Sequence, residues 1–221
     1  MPQPGYAPAP TGPTIRFDVI GQAFNMVFAD AGTWIVSAIV VAVIVVGLNF
    51  LIGMVTIGMI LSGAWIVGLF LRFVSIGVIA AIQYIFIANM FRMAIKAISG
   101  VKPSVNDLFK FEDVGNVVLA AFVVGFVTVI GCMFCVIPGL LFAGVTMFTL
   151  PLVVDRKVPA MAAISQSIEI LKKDIVMASL LILVASICSW ILLGLTMAVL
   201  PISVALLYRD YVGFASDPAH A

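Results

Sequence analysis

Residues 114–154 form a run of 41 positions without a single Asp, Glu, Lys or Arg, broken near its middle by Pro138-Gly139. A hydrocarbon core about 30 Å thick takes about 20 apolar residues per helix, so a run of this length fits two crossings and a turn better than one crossing. Lys110, Glu112 and Asp113 stand just before the run, and Asp155, Arg156 and Lys157 just after it. Charged side chains are expelled from hydrocarbon, so both limbs of this hairpin are expected to emerge into water on the same side.

The rest of the chain has the same character. Of its 221 residues 64% are hydrophobic and only 10% are charged, against roughly 25% charged in soluble domains, which points to a polytopic membrane protein. A net charge of +1 argues against nucleic acid as a partner, because phosphate neutralisation needs clustered Lys and Arg. The first dozen residues lack the basic and apolar regions of a secretory signal, so the first membrane helix is expected to act as its own insertion signal.

Residues 1–13 combine five prolines with two glycines and are expected to form a disordered tail, because they cannot bury enough apolar surface to offset ordering. A helical membrane domain is expected over 14–212, with a flexible tail over 213–221. From Ile15 to Asp30, Phe17, Ile20, Phe24, Val27 and Phe28 recur at helical spacing opposite Asp18, Gln22 and Asn25, which predicts an interfacial helix with its apolar face among acyl chains. Trp34 is expected at the headgroup level.

Between Ala31 and Phe91 the only charge is Arg72. Two crossings, roughly 33–57 and 73–95, would place Gly58, Ser62, Gly63, Trp65, Gly68 and Arg72 in a connection on the far side; three crossings would reverse every later loop. Two crossings gather the basic residues on one side, the cytoplasmic side by the positive-inside tendency. The following loop carries Arg92, Lys96, Lys102 and Lys110, and within it Ser104 and Asp107 form a variant capping box that opens a short surface helix. A further loop, 155–174, carries Arg156, Lys157, Lys172 and Lys173. There Pro159 suits a first helical turn, and Met161, Ile164, Ile168 and Leu171 form an apolar stripe opposite Ser165, Glu169 and Lys172.

The last apolar run, 175–208, is again uncharged. Gly194 precedes Pro201 by the same seven positions that separate Gly131 from Pro138, a hint that the second and third hairpins are related copies. The limb after Gly194 is short for a crossing, with Tyr208, Arg209 and Tyr211 available to anchor it by snorkelling. The expected fold is therefore an all-α, polytopic transmembrane bundle of about six spans in three hairpins, or five if the last limb fails to cross. Interfacial amphipathic helices complete it on the cytoplasmic side, where the N-terminus is also expected.

Pro138-Gly139, the segment Pro151-Leu152-Val153-Val154-Asp155-Arg156-Lys157, the 163–172 helix with Ser165, and Pro201 followed by Tyr208-Arg209-Asp210 resemble a family of small bacterial polytopic membrane domains. That family includes the membrane portion attached to some glycerophosphodiester phosphodiesterases and a set of inner-membrane proteins of uncharacterised role. The resemblance covers about the last half of the chain. It implies a six-helix bundle with cytoplasmic ends in the bacterial inner membrane, and no activity, because the phosphodiesterase chemistry of such fusions sits in a separate soluble domain.

The inventory for chemistry is thin. The only histidine is His220, and no carboxylate lies inside an expected span, which leaves neither a base nor a proton relay. No enzyme activity, cofactor or metal is expected. Cys132 and Cys135 form one C-x-x-C pair, with Cys188 on a later helix; packing is the ordinary use of such thiols, and a redox or metal role needs a second pair or nearby histidines. Asn49, Gln83 and Asn89, with Thr56, either bond between helices or line a narrow polar seam. Arg92, Lys96, Arg156, Lys157, Lys172 and Lys173 are solvated topology determinants or a site for anionic lipid or an acidic partner. The expected function is that of a non-catalytic integral membrane protein, an accessory or scaffold subunit binding membrane lipids or other membrane proteins through its cytoplasmic face. The alternative is a small-molecule or lipid transporter or channel built on the polar seam.

Overall fold

The computed structural model of the protein describes residues 15–134, 136–191 and 198–215. The 1–13 tail, Cys135, Gly194, His220 and the Cys188 side chain, on all of which expectations were placed, lie outside the described residues and side chains. Among the described residues every regular element is helical: α1 (Asp18–Ala29), α2 (Ala31–Leu61), α3 (Trp65–Ile98), α4 (Val114–Phe134), α5 (Val136–Val145), α6 (Thr149–Arg156), α7 (Ala160–Leu171), α8 (Ile175–Ile191) and α9 (Val199–Val212), with one 3-10 turn over Val105–Phe109. Among the described residues four stretches are long and apolar enough to cross a bilayer: α2, α3, Val114–Met133 and Ile137–Arg156.

The first hairpin is tighter than the sequence suggests. α2 ends where Gly63 adopts φ 91°, with the Ala64 N–H donating to Met59 O at 2.9 Å and the Gly63 N–H to Ile60 O at 3.2 Å, the bond pair that closes a helix on a left-handed glycine. The connection is therefore residues 62–64, and Gly58, Trp65, Gly68 and Arg72 are helical rather than looped. A helix satisfies its own backbone groups, and an isolated glycine costs only about 1 kcal/mol there, so these glycines do not break it. Gly68 has a different use. A Cβ there would lie 3.0 Å from Ile60 Cγ1 and 3.1 Å from Thr56 O, so its missing side chain lets the two arms approach near the turn.

The core gathers around α9. Its residues 201–208 are all buried, and α1, α3 and α8 pack against it; a helix apolar on all sides needs such a position. α1 presents Val19, Ala23 and Val27, each at most 2% exposed, and its main contact is with α9. Of the expected apolar face, Val27 is buried and Ile20 and Phe24 pack partly buried against the core beside Val19 and Ala23, while Phe17 and Phe28 point outward. Small side chains let the helix axes come close, which outweighs the larger area that Phe17 and Phe28 offer. Trp34, expected at the headgroup level, is fully buried against the rest of the chain.

Within the uncharged 114–154 run, α4 packs on α5. Pro138 sits in the first turn of α5, where its missing N–H costs nothing. At the crossing, a Cβ on Gly131 would stand 2.9 Å from Gly139 Cα, and one on Gly139 would stand 2.8 Å from Thr128 O. The second limb is interrupted: residues 146–148 form a turn between α5 and α6. Ser167 of α7, fully buried, bridges the break. Its hydroxyl donates to Val145 O at 2.7 Å and accepts the Phe148 N–H at 3.2 Å, giving partners to two groups that the break frees from the helical ladder. On α7 the inward side is Ala160, Ala163, Ile164, Ser167 and Leu171, so Met161, expected in the stripe, is exposed.

Gly144 and Gly47 make a test of this packing. A Cβ at Gly144 would meet Ser179 N at 2.6 Å and Ser179 Cα at 2.8 Å, backbone that cannot yield, whereas one at Gly47 meets nothing within 4 Å. Gly144→Val is expected to separate α5 from α8 and cost about 1–3 kcal/mol, read as a lower thermal midpoint in detergent. Gly47→Ala should leave the midpoint unchanged or raise it, by up to about 1 kcal/mol.

Candidate functional site: an ionic collar at one end of the bundle

The apolar segments between the loops contain one charge, Arg72; the other charged side chains fall at segment ends. Contacts tie these ends into a single collar, in two connected halves.

The first half is built on α3. Its last turns carry Asn89, fully buried, Arg92 and Lys96. α3 ends at Gly100, φ 79°, where the Val101 N–H donates to Lys96 O at 2.9 Å, and the chain turns back along the helix. The capping box forms as the spacing predicts: the Ser104 side chain accepts the Asn106 N–H at 3.3 Å, and Asp107 Oδ2 accepts the Ser104 N–H at 3.2 Å. Asn89 then donates to Leu108 O at 2.7 Å. The Arg92 guanidinium accounts for three acceptors, Asn89 Oδ1 at 2.6 Å, Lys110 O at 2.8 Å and Glu112 O at 2.7 Å. A planar fork of donors suits this better than an ammonium would.

Asp107 is the ionic centre of this half. It is 5% exposed, with Lys96 Nζ at 2.6 Å and Lys110 Nζ at 2.9 Å on the same oxygen. Burial alone would raise its pKa. The hydrogen bonds from Lys96, Lys110 and the Ser104 N–H, with the Lys96 charge, outweigh burial and hold it down at about 2. The same contact with Asp107 raises the Lys110 pKa.

The second half joins the chain's outer segments to α6 and α9. Arg16, before α1, pairs with Asp210 of α9 at 2.6 Å. Asp155 of α6 accepts the Tyr208 hydroxyl at 3.1 Å and the Ala215 N–H at 3.0 Å, and Arg156 donates to Val212 O at 2.8 Å and Gly213 O at 3.3 Å. Tyr211 donates to Asp174, ahead of α8, at 2.7 Å. Phe148, Tyr208, Tyr211 and Phe214 stack beneath these bonds with ring centroids 5.7–6.1 Å apart. Tyr208 is thus a fully buried strut rather than a snorkelling anchor, and the packed body runs on through Phe214, 3% exposed. Lys157, held at φ 53°, links the halves, 3.9 Å from Glu112 and 4.0 Å from Asp113.

The six basic residues singled out in the sequence therefore divide. Arg92, Lys96 and Arg156 make short internal bonds, while Lys157, Lys172 and Lys173 are exposed, Lys172 with only Glu169 at 3.4 Å. Among the described residues Asn49 and Asn89 each donate to a backbone carbonyl. Asn49 donates to Val45 O within its own helix, Gln83 is half-buried in mid-α3, and Asn89 holds the 3-10 turn. Cys132 is a free, exposed thiol, and no group of three potential metal ligands occurs among the described residues. Ser167 and Arg16 escaped the sequence reading, the first because a serine in an apolar helix shows no sign of its partners. The Asn89–Arg92 spacing of three residues was a visible signal for the clasp. Comparison with protein-family models, with curated proteins and with solved structures finds no match.

Because its pKa is depressed, Asp107 contributes stability that is present above the ordinary value of 3.8 and is lost as pH falls through about 2. That contribution is on the order of 2 kcal/mol. Thermal midpoints in detergent should fall between pH 5 and pH 2 in the native protein. Asp107→Asn should be less stable at pH 5 and should lack this part of the acid dependence.

Proposed function

We propose that the protein is a non-catalytic integral membrane protein, an accessory or scaffold subunit whose charged end recruits partners or lipids. One observation carries this reading: outside Arg72, every charge of the described residues stands at the ends of the apolar segments, and most short-range bonds there join chain segments to one another. Such a collar makes a stiff platform rather than a reaction centre. The exposed cations Lys172 and Lys173 are its outer edge, and each basic residue near an anionic surface contributes about 1 kcal/mol of attraction.

In this reading α8 and α9 complete the bundle as a third hairpin, giving about six crossings. The collar faces the cytoplasm by the positive-inside tendency, in the bacterial inner membrane that the family resemblance implies. The transporter alternative has less support, because Asn49 and Asn89 already spend their amides on backbone carbonyls.

Extraction in mild detergent tests the proposal. A partner or anionic lipid should co-purify with the native protein and be lost from the double variant Lys172→Glu, Lys173→Glu, whose thermal midpoint should stay close to that of the native protein. Retention by that variant would count against the platform, and loss of a solute flux on replacing Asn49 and Gln83 by Leu would favour a transporter. Reporter fusions near 105 and 165 should report the same face of the membrane.

A further inference from the structure

The loop over 101–111 carries a surface that the clasp does not explain. Asn89 and Arg92 hold its backbone and Lys96 holds Asp107, yet Val101 is 55% exposed, Phe109 46% and Phe111 62%. Three large apolar side chains thus face outward from a segment in which Asp107 is buried and Lys102, Ser104, Asn106 and Lys110 are exposed beside them.

Their depth decides what they face. The Phe109 ring meets the Phe86 ring edge-on, with centroids 6.2 Å apart, and Phe86 lies six residues before Arg92 on α3, about 9 Å farther from the charged end at 1.5 Å per residue. The Asn89 bond to Leu108 O likewise lies below Arg92. The 3-10 turn therefore descends along α3 from the ionic collar into the apolar band. Asp107 carries no bare charge down with it, since two lysines sit on one of its oxygens. Lys102, exposed beside Val101, and Lys110, half-exposed at its Asp107 contact, supply ammonium groups at the upper edge of the patch. Aromatic and aliphatic groups below, with ammonium groups above, match the acyl chains and phosphates of one leaflet.

We propose that residues 101–111 form a membrane foot: Phe109 and Phe111 insert among the acyl chains just below the phosphates of the collar-side leaflet, with Lys102 and Lys110 at the phosphates. This deepens the platform reading and rests on the chain spanning a bilayer. It assigns this sector of the collar to phospholipid, leaving the α7 sector with Lys172 and Lys173 for a protein partner.

The test uses the full chain with 4-fluorophenylalanine placed at Phe111, and separately at Phe126 of α4 as a reference for membrane insertion. Both proteins are reconstituted in vesicles of phosphatidylcholine and phosphatidylglycerol and followed by fluorine NMR. A nitroxide near the top of the lipid acyl chain should broaden the Phe111 signal severalfold more than an aqueous gadolinium chelate does. Broadening at Phe111 by the chelate and not by the lipid nitroxide, with Phe126 still broadened by lipid, overturns the foot and leaves the membrane reading intact. Chelate broadening at both positions overturns both. Protection of Phe111 from both agents would mean that protein, such as a second copy of the chain, covers the loop, and would equally overturn the foot.

Discussion

Hydrocarbon offers no hydrogen bonds, and among the described residues four helices of this chain are long and apolar enough to meet that condition. A backbone group left unpaired in such a medium costs several kcal/mol, so the apolar segments are helices and their glycines do not interrupt them. Where a helix does stop, the structure supplies a replacement. Gly63 and Gly100 close α2 and α3 with left-handed caps, and at the break between α5 and α6 the Ser167 hydroxyl takes both roles, donating to Val145 O and accepting the Phe148 N–H. The same constraint drives charges to the ends of segments. Once gathered there they meet one another, so the collar is a product of exclusion from the apolar band as well as of mutual attraction.

What could be read from the sequence follows the same line. Uncharged runs, their turn residues and their charged flanks all act over a few neighbouring positions, so the helical character, the packing of α4 on α5 about Pro138-Gly139 and the Ser104–Asp107 capping box are legible from spacing alone. Packing between distant segments is not. Val19 and Ala23 turn α1 towards α9 beside the expected Val27 because small side chains permit close approach, which amphipathic periodicity does not score. Trp34 is interfacial by type and buried by circumstance. The 58–72 stretch reads as a loop because glycine is counted as a breaker, a rule that belongs to water more than to lipid.

The candidate site was partly visible in the same way. The basic residues were found by composition, but composition cannot tell a cation with three internal acceptors, such as Arg92, from one with a single loose contact, such as Lys172. That distinction needs the return of the 101–112 loop along α3, which depends on a left-handed cap and a buried asparagine at once. Residues 155–156 and 208–215 show the same limit, since Asp155 and Ala215 are 60 positions apart in sequence.

The unequal lengths of the helices have a mechanical consequence. α2 and α3, with 31 and 34 residues, are about 46 and 51 Å long, while α4, with 21 residues, is about 31 Å. A bilayer matched to α4 is too thin for the upright hairpin, and burial against the rest of the chain is concentrated towards its other end, over 34–41 and 79–95. Either the hairpin leans steeply or the surrounding lipid stretches to meet it, and each response carries an elastic cost that depends on local thickness. In a bilayer the long α2–α3 pair and the shorter α4 would therefore set different demands on thickness, met by tilt of the hairpin or by stretching of the lipid around it.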